Sequence, residues 1–413
     1  MIFGNSVAIS GTTAIVGAPN DSDENPVSGS AYVYDTITGQ QLFKLTASDS
    51  TQFARFGYSV AISGTTAIIG AESAGAAYLF DTTTGQELFK LAPNDVVASD
   101  SFGTSAAISG TTAIVGSYRD DDAGSSSGSA YVFDTTTGQL LFKLVASDAA
   151  ENDQFGYSVS ISGNTAVIGA NRDDDEGSYT GSAYIFDTTT GQQLFKIAAS
   201  DAAENDQFGY SVAIAGTTAV IGARESNNAE GSAYLFDTTT GQQRFKLAAS
   251  DAESGALFGS SVAISGAAAI VGATQASHVG ITSGSVYSFP QGPGVLNQLQ
   301  PVVVTEGETA GFTIVPMYPN VDQYQCRRDG VDLVDGAGIS GAQSDSLEIV
   351  STMDDVGLYD CVLTNAHGQV ISNEAVLAVR SDPNACEGDL NGDGSLDFFD
   401  VQQFIVEFQR GCP

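Results

Sequence analysis

The chain has 413 residues, with 49 acidic against 14 basic side chains and a formal net charge of -35. So acidic a chain repels phosphate backbones and anionic membrane surfaces, which sets nucleic acid and lipid aside as partners and favours divalent cations. No apolar run approaches the roughly 20 residues that span a bilayer, whereas 42% hydrophobic content is enough for packed cores.

Internal repetition dominates the first two thirds. Phe-Gly recurs at Phe3, Phe56, Phe102, Phe155, Phe208 and Phe258, spaced 53, 46, 53, 53 and 50 residues apart. The fourth repeat reads FGYSVSISGNTAVIGA, an acidic loop, GSAYIFD, TTTGQ and QLFKIAASD. FGYSVSIS alternates apolar and small polar residues, a period of two. Gly163-Asn164 makes a tight turn, TAVIGA is β-branched and apolar, and GSAYIFD is a strand enriched in aromatics. In the next turn Asp187 is placed to cap its own backbone and Gly191 to take a positive φ. QLFKIAAS is the fourth strand. Four short strands per ~50 residues, repeated about six times, is the arithmetic of a β-propeller. The competing architecture is a β-solenoid, whose coils run nearer 20 residues and lack hairpin turns at fixed offsets.

These residues resemble the FG-GAP repeat family of integrin-alpha-like propellers. The first repeat spells the motif as Phe3-Gly4 and Gly17-Ala18-Pro19, and later repeats keep Gly-Ala or, at Gly116-Ser117, Gly-Ser. The resemblance spans residues 1 to 289 and implies an extracellular or cell-surface setting. Many members carry an acidic calcium loop between the Phe-Gly and Gly-Ala strands. Here that slot is a bare Gly-Thr-Thr or Gly-Asn-Thr turn, so calcium binding by the propeller does not carry over. Met1-Ile2-Phe3-Gly4 opens inside a repeat with no signal peptide, so the start is expected to be truncated or misassigned. The sixth repeat stops at Ser285-Val286-Tyr287-Ser288-Phe289 without its last strand, so six blades with incomplete closure are expected, or seven with one upstream.

Acidic residues gather one loop later, as Asp21-Ser22-Asp23-Glu24, Asp120-Asp121-Asp122 and Asp173-Asp174-Asp175-Glu176. They are a rim for a cation or ligand, or a solvated loop; consecutive carboxylates diverge, which favours the solvated loop. Gly124-Ser125-Ser126-Ser127-Gly128 matches a nucleophile-elbow pattern, but in a Ser/Gly-rich loop of a chain with only two histidines. Gly336 to Gly341 matches G-x-G-x-x-G without a surrounding βαβ unit. His278 and His367 have no neighbours at metal spacing and read as loop residues. No catalytic constellation stands out, so the chain is expected not to be an enzyme.

Pro290-Gln291-Gly292-Pro293-Gly294 breaks the repeat, and residues 290–296 read as a linker. Residues 297–379 then read as the short strands of a sandwich. Met353-Asp354-Asp355-Val356-Gly357 leads into Tyr359-Asp360-Cys361, which resembles the tyrosine corner of an immunoglobulin-like domain. Ile314 stands in the slot of the usual first cysteine and Cys326 in that of the core tryptophan, so the usual inter-sheet disulfide is excluded. In that pattern the strands of Cys326 and Cys361 are neighbours, which leaves either a cross-strand disulfide or two free buried thiols.

Residues 380–385 form a second linker, and 386–413 hold CEGDLNGDGSLDFFDVQQFIVEFQRGC. Asp389, Asn391, Asp393, Gly394 and Asp400 fall at positions 1, 3, 5, 6 and 12 of an EF-hand-type loop. Ser395 supplies a backbone carbonyl at position 7, and Asp397 a carboxylate or bound water at position 9. Val401, Phe404, Ile405 and Phe408 follow at helical spacing. Asp at position 12 resembles the dockerin module, here with one loop where a full dockerin has two. The Cys-bracketed single loop is similar to C-terminal anchoring tails on surface proteins of planctomycete-like bacteria. The resemblance implies bound Ca2+, closure by Cys386 and Cys412, and a cohesin-like or cell-envelope partner.

The chain is thus expected to be mainly β: an FG-GAP propeller, an immunoglobulin-like sandwich and a small helical, calcium-binding tail. Four cysteines, all in the last hundred residues, suit an oxidising compartment. The expected role is a secreted or cell-surface binding and adhesion protein, the propeller presenting a site for a protein or glycan ligand. The alternative is a carbohydrate-active enzyme tethered by its dockerin, with polysaccharide as substrate.

Overall fold

A computed structural model of the chain describes residues 3–22, 25–266, 268–277, 283–290, 295–316, 321–365 and 368–380. The chain divides into two compact units, Met1–Phe289 and Pro290–Pro413.

The first unit is a row of six antiparallel sheets that fits a β-propeller; they are called blades 1 to 6 here. Blade 4 shows how each arises. Phe155–Ser162 turns at Gly163 into Thr165–Ala170, pairing Ser162 with Thr165 and Val159 with Ile168. Gly163 sits at φ 56, which a residue with a Cβ tolerates poorly. Ser182–Asp187 pairs next, and Gln192–Ile197 completes the sheet after a turn in which Asp187 Oδ1 accepts from the Thr189 amide at 2.8 Å. The sheet orders of blades 1, 2, 3 and 5 repeat this, while blade 6 has three strands: Phe258–Ser265, Ala268–Ala273 and Ser285–Pro290.

The core lies between blades, because both faces of every sheet are apolar. Ile114, Val132 and Leu144 of blade 3 pack with Phe155, Ile161, Ile168 and Phe186 of blade 4 in one buried cluster. From blade 2 onward, each Phe-Gly strand also locks into the blade before it. The Phe208 amide donates to Thr180 O at 2.9 Å, and the Ser158 hydroxyl donates to Gly209 O at 2.8 Å.

In the second unit, Val302–Thr305, Ala375–Arg380, Gly357–Asn365 and Gln323–Arg328 are successive neighbours in one sheet. Thr309–Thr313, Ser346–Val350 and Ile339–Ser340 form another. Phe312, Ile314, Leu347 and Ile349 share one buried cluster with Tyr359, Leu363 and Leu377. Cys326 and Cys361 are register partners on adjacent strands and are joined by a disulfide, with Cα atoms 3.9 Å apart. Beginning inside the expected 290–296 linker and ending at Asn297, Val295–Asn297 is a strand paired with Val315–Pro316. It is therefore part of the second unit's backbone pairing, because its β-prone Val295 finds an edge to pair with. The expected 386–413 tail lies outside the described residues.

Candidate functional site

Two clusters of polar chemistry recur on the blades. The first involves the acidic loops: Asp121, Asp122, Asp174, Asp175 and Glu176 are exposed, as a solvated loop requires, but the leading residue of each loop is not. The leading carboxylates Asp21, Asp120 and Asp173 are 5%, 2% and 1% exposed. In blade 4 the Tyr184 hydroxyl donates to Asp173 Oδ2 at 2.6 Å, and Lys196 Nζ lies 2.7, 2.9 and 2.6 Å from Asp148, Asp173 and Asp175. Blade 3 repeats this with Tyr131 and Lys143, the latter set among Asp95, Asp120 and Asp122. In blade 1, Asp21 meets Tyr32 at 2.7 Å and Lys44 at 3.1 Å. Burial by itself would lower the Lys196 pKa; hydrogen bonds to Asp148, Asp175 and Asp173 outweigh it and hold the ammonium above its ordinary value. Asp148 is desolvated too, and Lys196 still brings its pKa below the usual one.

Among the described residues, Asp148, Asp173 and Asp175 are the acidic group whose geometry resembles a metal site, with ligand oxygens within 4.8 Å of one another. Calcium takes 6–8 oxygen ligands. The space among these three is held by the Lys196 ammonium, so the residues present do not fit a resident calcium ion. Asp173 and Asp175, alternate residues of the loop, converge while the intervening Asp174 is exposed; the third carboxylate comes from the end of the preceding blade.

The second cluster was not foreseen. Tyr118 and Tyr157 meet edge to face with ring centres 5.5 Å apart, and Tyr157 lies 5.1 Å from Tyr210. The Arg224 guanidinium stacks 3.8 Å above the Tyr210 ring, and its Nε donates to Gln207 Oε1 at 3.1 Å. Arg119 lies 5.1 Å over Tyr118, and Arg55 lies 4.7 Å over Tyr58. Burial, then the Tyr210 hydroxyl, push the Tyr157 pKa up, and burial followed by Glu72 does the same to Tyr58. Tyr58 also feels the charge of Tyr118 and Tyr210, which places all four tyrosines in one neighbourhood. The four rings are half-buried. Aromatic rings that keep a polar end are well suited to binding surfaces.

The repeat itself carried a signal for this cluster. The position after each Gly-Ala or Gly-Ser is Pro19, Glu72, Tyr118, Asn171, Arg224 or Thr274, six different residues directly after a near-constant pair. Glu72, Tyr118 and Arg224 all reach the tyrosines. Asn171, in the same column, is 3% exposed, and its Oδ1 has no hydrogen-bond partner. A further depression of about 610 Å³ is lined by Asp201, Glu204, Asp206, Gln207 and Glu225 among others.

The foreseen ligands Asp389, Asn391, Asp393, Ser395, Asp397 and Asp400 lie outside the described residues. So do His278 and His367. Gly124 to Gly128 is a tight loop in which the Ser127 hydroxyl donates to Asp120 O at 3.2 Å, with no helix following it. Among the described residues no helix is long and apolar enough to cross a membrane.

The family model for the FG-GAP repeat matches residues 1–34, 40–80, 86–133, 141–186, 192–236 and 242–289. No curated protein sequence matches the chain. Among solved structures, a titin domain in a trigonal crystal form is 24% identical over 22% of this chain and 96% of its own, with TM-score 0.20. The twitchin kinase region from C. elegans is 17% identical over 23% of this chain and 18% of its own, with TM-score 0.21. Dihydro-heme d1 dehydrogenase in complex with a ligand is 12% identical over 69% of this chain and 54% of its own, with TM-score 0.43.

Proposed function

The chain belongs to the FG-GAP repeat family, and from that premise we propose that it is a secreted or cell-surface binding protein, not an enzyme, whose propeller presents the ligand site. The observation that carries this reading is the row of Tyr118, Tyr157 and Tyr210 with Arg119 and Arg224 beside it. Tyr157 and Tyr210 share the position after Phe-Gly, and what sets this row apart from repeat to repeat is Tyr118 and Arg224 in the column after Gly-Ala or Gly-Ser; a site for one ligand must break a repeated symmetry. Half-buried tyrosines supply apolar area and hydroxyls at low entropic cost, and the guanidinium groups supply donors. A glycan, with apolar ring faces and many hydroxyls, is the ligand class this chemistry suits.

The second unit serves in this proposal as an immunoglobulin-like spacer. Support comes from the Tyr359 hydroxyl, which donates to Asp355 O at 2.7 Å two residues before Cys361, as in a tyrosine corner. The Cys326–Cys361 disulfide accords with an oxidising, extracellular setting. Residues 386–413 are proposed as a Ca2+-binding anchor, on the strength of Asp389, Asn391, Asp393, Asp397 and Asp400 at EF-hand spacing.

A glycan array probed with the full chain, with and without calcium, tests the proposal. A defined glycan should bind regardless of calcium, and Tyr157→Ala should weaken it at least tenfold, about the loss of one buried aromatic contact. Full binding by Tyr157→Ala, or no glycan bound at all, would reject the tyrosine row as the site.

A further inference from the structure

Residues 1–289 contain five lysines and five arginines. All five lysines are ion-paired with carboxylates, and so are Arg55, Arg224 and Arg244. Arg119 and Arg172 are the two that have no carboxylate partner among the described residues. Acid is close at hand but is engaged elsewhere. Asp121 Oδ1 accepts from the Ser126 amide at 2.7 Å, while Asp122 and Asp175 turn to Lys143 and Lys196.

The two arginines hold the same register on blades 3 and 4. Each directly follows the variable column, at Tyr118 and at Asn171. Their amides donate alike, Arg119 to Asp100 O at 3.2 Å and Arg172 to Asp153 O at 3.3 Å. Both side chains are exposed, and each guanidinium lies over a ring, 5.1 Å from the centre of Tyr118 and 5.5 Å from that of Tyr179. A guanidinium so placed keeps its in-plane N–H donors for a second partner. Tyr118 leads on to Tyr157 and Tyr210, so the donors of Arg119 stand at the edge of the tyrosine row. Burial, then the Tyr210 hydroxyl, raise the Tyr157 pKa, so that phenol stays neutral and does not repel an anion.

We propose that the glycan taken by the tyrosine row is acidic, a pyranose chain bearing carboxylate or sulfate groups, with Arg119 and Arg172 receiving its charges. This rests on the reading of the row as a glycan site and narrows the ligand class. A guanidinium offers a carboxylate or sulfate two parallel N–H bonds, which an uncharged ring does not match. The chain's net charge of -35 opposes such a ligand only at a distance. At physiological salt the Debye length is about 8 Å, so remote carboxylates are screened while the contacts themselves are not.

Titration calorimetry on the full chain tests it, in a chelator so that no divalent cation bridges sugar to carboxylate. The probes are an oligogalacturonate, its methyl ester, a sulfated galactan oligosaccharide and the unsulfated galactan of equal length. An acidic probe should bind at least about tenfold tighter than its uncharged counterpart, and the tighter of the two acidic probes identifies the group as carboxylate or sulfate. Arg119→Gln and Arg172→Gln should each cost the acidic probe about tenfold more than they cost the uncharged one, the loss of a charge-assisted hydrogen bond. Their melting temperatures should match the wild type, because both side chains are exposed. Arg119→Lys keeps the charge without the fork and should recover part of the loss. Equal binding of charged and uncharged probes, no binding of either acidic probe, or acidic binding untouched by both glutamine variants overturns the proposal. Tyr157→Ala separates this from the reading beneath it. Uncharged sugar that binds equally well and is lost in Tyr157→Ala keeps the row as a glycan site and rejects the acidic class. Acidic binding that needs the arginines yet survives Tyr157→Ala rejects the row and leaves the arginines as an anion site of their own.

Discussion

The two units pack apolar strand faces equally well but secure neighbouring backbones by different means. In the repeat unit, blade approaches blade so closely that a glycine lies against a carbonyl at every junction, as Gly169 does against Gly209. Buried carboxylates there are matched by a lysine from the last strand, as with Lys196. In the second unit Gly311, mid-strand, faces solvent, and a Cβ there would meet nothing within 4 Å. Its central strands are joined covalently at Cys326–Cys361, and the Arg327 guanidinium takes both oxygens of Asp360 at 2.7 Å. Steric fit carries one unit, and a covalent bond with a forked ion pair braces the other.

Glycine substitutions probe this contrast most severely. Gly169→Ala should destabilise the repeat unit by about 4 kcal/mol, since the new methyl can be seated only by moving backbone of the next blade. Gly311→Ala in the second unit should be neutral or stabilising by up to about 1 kcal/mol, through the unfolded chain. Thermal melting of both variants decides it. Equal effects would erase the distinction between the units.

Reduction acts in the opposite sense. Cys326 and Cys361 are 35 residues apart, and opening a loop of that size removes about 3–4 kcal/mol. The repeat unit contains no cysteine, all four lying at Cys326 or beyond. Dithiothreitol should therefore lower the melting of the second unit and leave the repeat unit unmoved. A shift in both transitions would show that the units are not independent in this respect.

Lys196→Met isolates the lysine's part. Removing the ammonium leaves the buried Asp173 facing Asp148 and Asp175 without a counter-charge, a loss of about 2–3 kcal/mol after allowance for the exposed members. The paired state holds the Asp148 pKa below its unfolded value, so this stability is present above the unfolded pKa and fades as pH falls through the folded one. The penalty of the variant should therefore be full at neutral pH and shrink in acid. With the ammonium gone, calcium should bind the three carboxylates and restore part of the melting temperature. A pH-independent penalty would mean that lost packing, not lost charge, is responsible.

Asp153 offers the smallest and sharpest reading. Burial raises its pKa to about 6, with the Ala150 amide opposing the shift and Asp173 and its neighbours adding to it. A carboxyl whose folded pKa exceeds its unfolded one holds more protons when folded, so stability falls as pH rises from about 4 to about 6. Asp153→Asn should flatten that slope and gain about 1–2 kcal/mol near neutrality, allowing for partial hydration. Denaturant titrations at a series of pH values would expose a persisting slope, which would assign it to another carboxylate.

Much of this could be read from the residues in order. The Phe-Gly period, the Gly-Thr-Thr turns and the alternation of FGYSVSIS specify strands and hairpins because each depends on residues only a few positions apart. The Tyr359-Asp360-Cys361 cluster likewise placed Cys361 beside Cys326. The leading aspartates of the acidic loops escaped the sequence for the opposite reason. Whether Asp173 is solvated depends on Lys196, 23 positions on, and on Asp148 of the preceding blade. Tyr157 and Tyr210 were present as the residue after Phe-Gly and Tyr118 as one member of a variable column, and nothing local says that the three meet.

By itself, then, the order of residues determined the repeat, the four-strand blade, the second unit's strand order around Tyr359 and the calcium-type spacing of Asp389 to Asp400. Those features follow from backbone propensity and side-chain period, which act over one or two turns of chain. Tertiary structure alone decided which carboxylates hold a lysine, which tyrosines share a surface and which arginines are left without a carboxylate. Each of these depends on distances between residues far apart in sequence, set by how closely one glycine-lined sheet can approach the next.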